Sequence, residues 1–256
     1  MFYSLIKDST ITIPYFTPTF ENGGYWEYYR DLERQFENFL EFVPYLSGNE
    51  NTYSFRLANL ILAIGAHIDS AFKEMARYPE FLTKCPLILA KPSGESKNPT
   101  IRDDYDLAVE YKLAQRKVMF KRLPEREQLI PFQQYVKVED RVQTPNWWRI
   151  YNGVKHHFSE NFENANLQNT RDALAGAFLL NIIHTPAYIR LVEYRIVTPD
   201  PIGRTEFTLN AGWQDRIKEF VKKNERFGFI ETPLLSYKYR EEPNLSKYSI
   251  SEPKSF

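Results

Sequence analysis

The chain of 256 residues contains one cysteine and ten glycines, and it carries no net charge. Its single cysteine, Cys85, cannot form an internal disulfide, which excludes a small secreted domain held together by disulfide bonds and favours a reducing cytoplasm. Lys and Arg number 33 and Asp and Glu number 33, so no global positive field draws the protein to nucleic acid or to an anionic membrane. Any contact with nucleic acid must therefore be local.

The sequence also lacks long apolar runs. The longest runs, around Asn59 and around Asn181, fall well short of the ~20 residues that a membrane span needs, and the opening residues lack the basic start and apolar stretch of a secretory signal. We therefore expect a cytoplasmic protein without a membrane partner. The sequence has neither a glycine-rich phosphate loop nor a zinc-binding motif of Cys or His residues, so we expect no cofactor and no metal ion.

Apolar residues that recur at three- and four-residue steps predict a mainly α-helical bundle with small β additions. A first helix is predicted from about Tyr29 to Val43, ending at Pro44, and a second from about Tyr53 to Tyr78. The second helix has another face of mostly small residues, which lets a neighbouring helix approach closely. This face consists of Ala58, Leu62, Gly65, Asp69, Phe72 and Ala76.

The middle and the end of the chain give weaker patterns. A helix is predicted from about Arg102 to Leu123, where acidic residues at the start and basic residues at the end match the helix dipole. The proline-containing segment Lys84–Thr100 is expected to be a loop, and Leu129–Val138 a short strand. Beyond these lie predicted strands at Tyr188–Val197 and Glu206–Leu209, a helix at Trp213–Arg226, and an extended polar tail from Tyr237 to Phe256.

Two helices are predicted between these regions from their start signals. One begins with Thr144 as the capping residue and Pro145 in the first helical position, and runs to about Phe162. The other begins after Asn164 or Asn166 and is apolar on nearly every side as far as Ile183. We expect this last helix to be the buried centre of the bundle.

The helix at 145–162 separates into two arcs when it is projected at ~100° per residue. The arc that should face the core contains Trp147, Ile150, Tyr151, Val154 and Phe158, and the arc that should face outward contains Arg149, Asn152, His156 and Ser159. A guanidinium binds phosphate through two hydrogen bonds, and an imidazole is the side chain that titrates near neutrality. Residues of these types two turns apart, flanked by Trp148 and Lys155, are suited to holding a phosphate and moving a proton.

This segment resembles the HEPN superfamily, helical bundles named for nucleotide binding in higher eukaryotes and prokaryotes. The resemblance is carried by Trp148, Tyr151, Asn152, Lys155 and His156, by the Ala- and Leu-rich helix that follows, and by the six residues between Arg149 and His156. It covers roughly residues 53–185 as a helical core with a long insert near 84–142. Residues 1–52 form an N-terminal extension with the first helix, residues 186–256 form a C-terminal appendage, and the whole is expected to be one compact body.

The resemblance implies metal-independent cleavage of RNA by a homodimer in which the Arg/His helices of two subunits face each other. His156 would act as general base or acid on the ribose 2′-hydroxyl, and Arg149 would stabilise the negative phosphorane. Asn152 would orient the phosphate or the imidazole, and Asp69 would fix the tautomer of His156 or pair with Lys155. The resemblance also implies a toxin or defence role, with RNA or a nucleotide as the ligand and room for a protein inhibitor.

Other interpretations of the same residues stay open. A non-catalytic HEPN-like module would bind a nucleotide, RNA or a protein through the polar arc, and a helical dimerisation protein would use the motif for folding alone. Asp69 would then be half of a buried ion pair with Lys155, and Trp148 would pack in the core instead of stacking on a base. His67, His157 and His184 are expected to be packing residues.

Overall fold

The computed structural model describes residues 24–77, 105–121, 127–139, 141–184, 187–188, 190–191, 194, 196–197 and 229–239. The loop predicted at 84–100 with Cys85, the strand predicted at 206–209, the helix predicted at 213–226 and the tail beyond residue 239 lie outside these residues.

The described residues are mainly α-helical with small β additions, as the sequence predicts. The helices are α1 (Gly24–Leu40), α2 (Phe55–Arg77), α3 (Tyr105–Glu110), α4 (Asn146–His156), α5 (Phe158–Asn161) and α6 (Leu167–Ile183). The strands are β1 (Val118–Phe120), β2 (Glu127–Leu129), β3 (Lys137–Val138), β4 (Arg141–Val142), β5 (Phe229–Glu231) and β6 (Leu235–Lys238). One antiparallel sheet has the order β2-β1-β6-β5, and β3 and β4 form a separate pair.

Helix α6 is the centre of the fold, and α1, α2 and α4 pack around it. Nearly all of its residues are buried, which is the expectation for a helix that is apolar on every side. Asn166 is its N-cap, because the Asn166 side chain accepts a hydrogen bond of 3.0 Å from the backbone N–H of Asn169. Of the two capping residues that the sequence left open, the structure uses Asn166.

The bounds of α2 agree with the sequence pattern, whereas α1 begins at Gly24, five residues before Tyr29, and ends three residues before Val43. Helix α1 ends at Leu40, four residues before Pro44, and α2 runs from Phe55 to Arg77. By length and composition alone, the stretch Phe55–Ala76 would also suit a membrane span, although the sequence analysis expected no segment of that kind. About 56% of it is buried inside the protein, and core helices pass the same test.

The helix predicted from Arg102 to Leu123 is wrong over most of its length. Helix α3 ends at Glu110, Lys112 adopts a left-handed backbone with a φ of 53°, and the chain enters β1 at Val118. Val118 and Phe120 are buried and the residue between them is half-buried, which is the alternation of a strand. Strand β1 pairs with the nearby β2 on one side and, on the other, with β6, more than a hundred residues further along the chain, so part of its pairing lies outside any local sequence window.

Three other predictions need correction. The strand expected at Leu129–Val138 is split into β2 and β3, because Pro131 cannot donate a hydrogen bond to a sheet and a turn follows β2. The strand expected from Tyr188 is wrong at its start, since residues 187, 188, 190 and 191 are helical. The polar tail expected from Tyr237 is also wrong at its start, because Tyr239 is fully buried and its hydroxyl donates to the carbonyl of Ile182 at 2.8 Å.

A buried carboxylate joins α1 to the β5–β6 hairpin. Glu33 is fully buried and pairs with Arg30 in the preceding turn of α1. It also accepts hydrogen bonds from the hydroxyl of Thr232 and, at 3.1 Å, from the backbone N–H of Leu234. Buried carboxylates need such donors, so Glu33 fixes where the hairpin lies against the helices.

A buried guanidinium joins α6 to the sheet. Arg171 is 4% exposed, contacts the carboxylates of Glu127 at 2.6 Å and Asp172 at 2.7 Å, and lies over the ring of Tyr45 at 4.7 Å. Burial raises the pKa of the Asp172 carboxyl, and Arg171 opposes this rise. Each member of this cluster has a partner, so the cluster is a structural connection between β2 and α6.

Candidate functional site

Helix α4 turns its apolar arc to the core and most of its polar arc outward, as the sequence predicts. Its buried residues are Trp147, Trp148, Ile150, Tyr151 and Val154. Arg149, Lys155 and His156 are exposed, and Asn152 is half-buried. The helix begins at Asn146 with Pro145 as its N-cap, one residue later than predicted. The candidate site is therefore the outer surface of a helix that is anchored on its inner side.

Two tryptophans form this anchor. The indole N–H of Trp147 donates to the carbonyl of Pro131 at 2.7 Å, and its ring meets Phe132 edge-on at 5.5 Å. Trp148 is 6% exposed and packs against the rings of Trp147 at 5.9 Å and Tyr151 at 4.9 Å. Trp148 thus belongs to the core and holds the helix in place, and its face is not available for stacking on a base.

The small-residue face of α2 receives α4 at Gly65. A β-carbon at position 65 would overlap the ring of Tyr151, so only glycine permits this approach of the two helices. The hydroxyl of Tyr151 accepts a hydrogen bond from Lys155 at 3.4 Å, and the Lys155 ammonium lies 5.5 Å from the centre of the Tyr151 ring. Tyr151 therefore fixes α4 against α2, and it also holds the Lys155 side chain next to the site.

Arg149 and His156 share one side of α4. Seven residues at ~100° each fall only about 20° short of two full turns, and a rise of ~1.5 Å per residue separates the two positions by about 10 Å along the axis. The Arg149 guanidinium donates to the side-chain oxygen of Asn146 at 3.1 Å and has no carboxylate partner among the described residues. His156 is exposed at the last position of the helix and has no hydrogen-bond partner within the described ranges. Arg149 and His156 therefore lie on the same face of α4, but no hydrogen bond joins their side chains.

Asn152 lies between them but is partly engaged. Its amide group donates to the carbonyl of Trp148 at 3.0 Å, one turn earlier in the same helix. This bond fixes the amide nitrogen, so the carbonyl oxygen of the side chain is the group that Asn152 can offer to a ligand.

Asp69 makes no hydrogen bond or ion pair with Arg149 or His156 in the described part of the chain. Its carboxylate accepts a hydrogen bond of 2.5 Å from Lys73, one turn further along α2, and both side chains are about one quarter exposed. The ion pair expected between Asp69 and Lys155 does not form, because each has a partner on its own helix. The structure therefore does not bring the charge of Asp69 to His156.

The helix predicted to run to Phe162 ends at His156. The backbone of His157 leaves the helical region with a φ of −141°, and its N–H donates to the carbonyl of Gly153 at 2.7 Å. The returning α5 packs on Gly153, where a β-carbon would lie 2.6 Å from the side-chain oxygen of Asn161. Phe158 and Ser159 are consequently not on the arcs of α4, and Phe158 is 39% exposed instead of facing the core. His157 is also exposed, unlike a packing residue.

The break creates a surface feature that the sequence analysis missed. The rings of Phe158 and Phe162 both contact Phe55, the first residue of α2, and Phe162 also contacts Tyr53, two residues before α2. We call these four side chains the aromatic platform. Three of them are among the most exposed large side chains: Tyr53 at 44%, Phe55 at 68% and Phe158 at 39%. The sequence contained one indication of this feature, since Tyr53 and Phe55 do not belong to the apolar stripe by which α2 faces the core.

Two other histidines are core residues, as expected. His67 lies 2.8 Å from the amide nitrogen of Asn181 and is flanked by the rings of Tyr25 and Tyr28, and burial lowers its pKa to about 4. His184 is hydrogen-bonded to the hydroxyl of Tyr111 at 3.0 Å. Within the described parts of the chain, no three His, Cys, Asp or Glu side chains converge as metal ligands.

Comparisons with protein-family models, with curated proteins and with solved structures find no match to this chain. The outer face of α4 and the residues around it are therefore the features from which a function is inferred.

Proposed function

We propose that this chain is a HEPN-like, metal-independent endoribonuclease that works as a homodimer, in the cytoplasm, as a toxin or defence effector. The observation that carries the proposal is the shared outward face of Arg149 and His156, where neither side chain is bound to an opposite charge among the described residues. A cation and an imidazole that are exposed together remain available for a phosphodiester.

The reaction follows from what these two groups do to a phosphodiester. His156 takes the proton of the ribose 2′-hydroxyl, and the 2′-oxygen attacks the adjacent phosphorus. The bond from phosphorus to the 5′-oxygen breaks, which gives a 2′,3′-cyclic phosphate and, once that oxygen is protonated, a 5′-hydroxyl. Arg149 stabilises the extra negative charge of the phosphorane between these two events.

The need for both a base and an acid favours a dimer. Helix α4 offers one histidine on this face, since His157 lies beyond its end. In a two-fold dimer with the α4 faces opposed, His156 of the partner subunit would supply the second group, and the RNA would lie between the subunits.

One observation favours the non-catalytic alternative. In many catalytic sites a second group orients the imidazole, and the described residues of a single chain provide none for His156. A module that only binds RNA or a nucleotide would need the cation and the polar face but not this orientation. In a dimer, a residue of the second subunit could orient the His156 imidazole. A measurement of RNA turnover therefore separates the catalytic from the non-catalytic alternative.

The test is cleavage of a structured RNA in the presence of a chelator. Arg149→Ala and His156→Ala should each lower the rate by about a hundredfold or more, with unchanged melting temperatures because both side chains are exposed. His157→Ala is the matched control and should cleave like the wild type. Cleavage that persists in both site variants would contradict the proposal, and RNA binding without turnover would establish the non-catalytic module. A collapse of the melting temperature in either variant would assign the motif to folding.

A further inference from the structure

Three rings of the aromatic platform, those of Phe55, Phe158 and Phe162, have similar orientations, whereas the ring of Tyr53 meets Phe162 edge-on at 84°. The planes of Phe55 and Phe158 differ by 10°, those of Phe158 and Phe162 by 30°, and those of Phe55 and Phe162 by 32°. The ring centres are 6.2, 5.3 and 4.6 Å apart, in the same order. Successive bases of a single strand also have nearly parallel planes, so these three phenylalanines have the orientation that base stacking requires.

The platform lies beside the candidate catalytic residue. Phe158 follows His156 by two positions, which limits the distance between their Cα atoms to about 7 Å. Phe55 comes from α2, so the break after α4 brings together rings from two separate parts of the chain.

Each of the two chain segments that supply the rings carries a cation close to them in sequence. Arg56 directly follows Phe55, and Lys155 precedes Phe158 by three positions. Both are exposed, and neither is paired with a carboxylate among the described residues, whereas Lys73 and Arg171 are so paired. Two acids on the same segment, Glu160 and Glu163, are also exposed, and Glu163 accepts a hydrogen bond from the hydroxyl of Tyr53 at 3.3 Å.

We infer that the aromatic platform binds unpaired RNA bases by stacking and delivers the adjacent phosphodiester to the Arg149 and His156 face. The inference rests on the proposed function in taking RNA as the ligand, and it names single-stranded RNA as the substrate class. Duplex bases are stacked on one another and do not present a free face to a protein ring.

The exposed area favours this occupant over a second copy of the chain. Three exposed aromatic side chains and the partly buried Phe162 together offer on the order of 300–400 Å². A stable protein interface needs about 800 Å² on each side, so the platform is too small to be one by itself. It is large enough for two or three stacked bases, and the flanking cations suit the phosphates between those bases.

The test measures binding without cleavage. The probe is a short, fluorescently labelled oligouridine with 2′-O-methyl groups, which has no free 2′-hydroxyl, and the reference is a duplex of the same length. Phe55→Leu keeps an apolar side chain but removes the ring, and should raise the Kd for the single strand about fivefold or more, as Phe158→Leu should. Phe42→Leu is the matched control and should leave the Kd unchanged, because Phe42 is 78% exposed and has no ring contact with the platform.

The salt dependence gives a second expected result. With Arg56, Arg149 and Lys155 as the phosphate contacts, a plot of log Kd against log salt should have a slope of about two, which is shallow for a nucleic-acid-binding protein. Phe55→Leu should leave this slope unchanged, because a ring carries no charge.

Three results would overturn the inference: no binding of the oligouridine by the wild type, an unchanged Kd in Phe55→Leu, or a dimer that becomes a monomer in Phe55→Leu. The last result would show that a second copy covers the platform. Failure of the proposed nuclease is distinguishable, because it would appear as Phe55-dependent binding of RNA that the wild type does not cleave.

Discussion

The ring of Tyr151 on α4 packs directly on the backbone of Gly65 on α2. This contact fixes the distance between the two helices, because a β-carbon at position 65 would occupy the space of the ring. Arg149, Asn152 and His156 lie on the same rigid helix as Tyr151. The position of the candidate site therefore depends on one glycine in the core.

Gly65→Ala should destabilise the protein by about 1–3 kcal/mol, because the added methyl group forces Tyr151 and α4 away from α2. The higher helix propensity of alanine, worth ~1 kcal/mol, opposes this loss but should not offset it. Denaturant unfolding measures the change. Ala66→Lys is the control at the neighbouring exposed position and should change the free energy of unfolding by less than ~0.5 kcal/mol. A Gly65→Ala variant as stable as the wild type would contradict the close contact.

Glu33→Ala should destabilise the protein by about 3 kcal/mol. The substitution leaves the N–H of Leu234 and the guanidinium of Arg30 without their acceptor in or near the core, and the hydroxyl of Thr232 keeps only the carbonyl of Leu235. Asp31→Ala is the control on the same helix. Asp31 pairs with Arg34 on the surface, so its loss should change the free energy of unfolding by less than ~1 kcal/mol. Equal effects of the two substitutions would show that the buried carboxylate does not hold the hairpin.

His67 should make the protein less stable in mild acid. Burial lowers its pKa from 6.5 to about 4, so between these values the unfolded chain binds the proton and the folded protein does not. The contribution of neutral His67 to the free energy of unfolding is therefore fully present above pH ~6.5. It declines by up to about 3 kcal/mol as the pH falls toward ~4. His67→Gln lacks this titration, so its difference in stability from the wild type should shift in favour of the variant as the pH falls. Parallel curves for the two proteins would rule out a buried neutral histidine.

The proposed dimer predicts inhibition by an inactive subunit. If each reaction needs His156 from both subunits, mixed dimers of wild type and His156→Ala are inactive. Adding an equal amount of the variant to a fixed amount of wild type should then lower RNA cleavage to about half after the subunits exchange, by random mixing. The solution mass measured by sedimentation should correspond to two chains. An unchanged rate after proven exchange, or a monomer at all workable concentrations, would refute the two-subunit site.

The sequence predicts the central helices well, because burial on a helix leaves a periodic pattern. Helix α6 is apolar on all sides and begins at a capping asparagine, and the stripe on α2 marks nearly its whole length. The shared face of Arg149 and His156 follows from the apolar residues opposite to them on α4. These features depend only on neighbours within about two turns.

The remaining features depend on contacts between distant residues. Met119 and Phe120 pair with β6 from the far end of the chain, and Phe158 leaves the core because α5 packs on Gly153. Asp69 pairs with Lys73 on its own helix instead of with Lys155 on α4. The sequence pattern of each helix does not decide between these two partners. The aromatic platform needs Phe55 and Phe158 together, and no local window contains both.

The pairing of β1 with β6 has a consequence for synthesis on the ribosome. Phe120 and Met119 of β1 pair with Leu235 and Ser236 of β6. The ribosome must add more than a hundred residues after β1 before it reaches these partners. Until then β1 has an open edge that is free to pair with other nascent chains, which is a route to aggregation. Shortening the gene before the codon for Leu235 should therefore lower the yield of soluble protein, even though every helix around α6 would still be encoded.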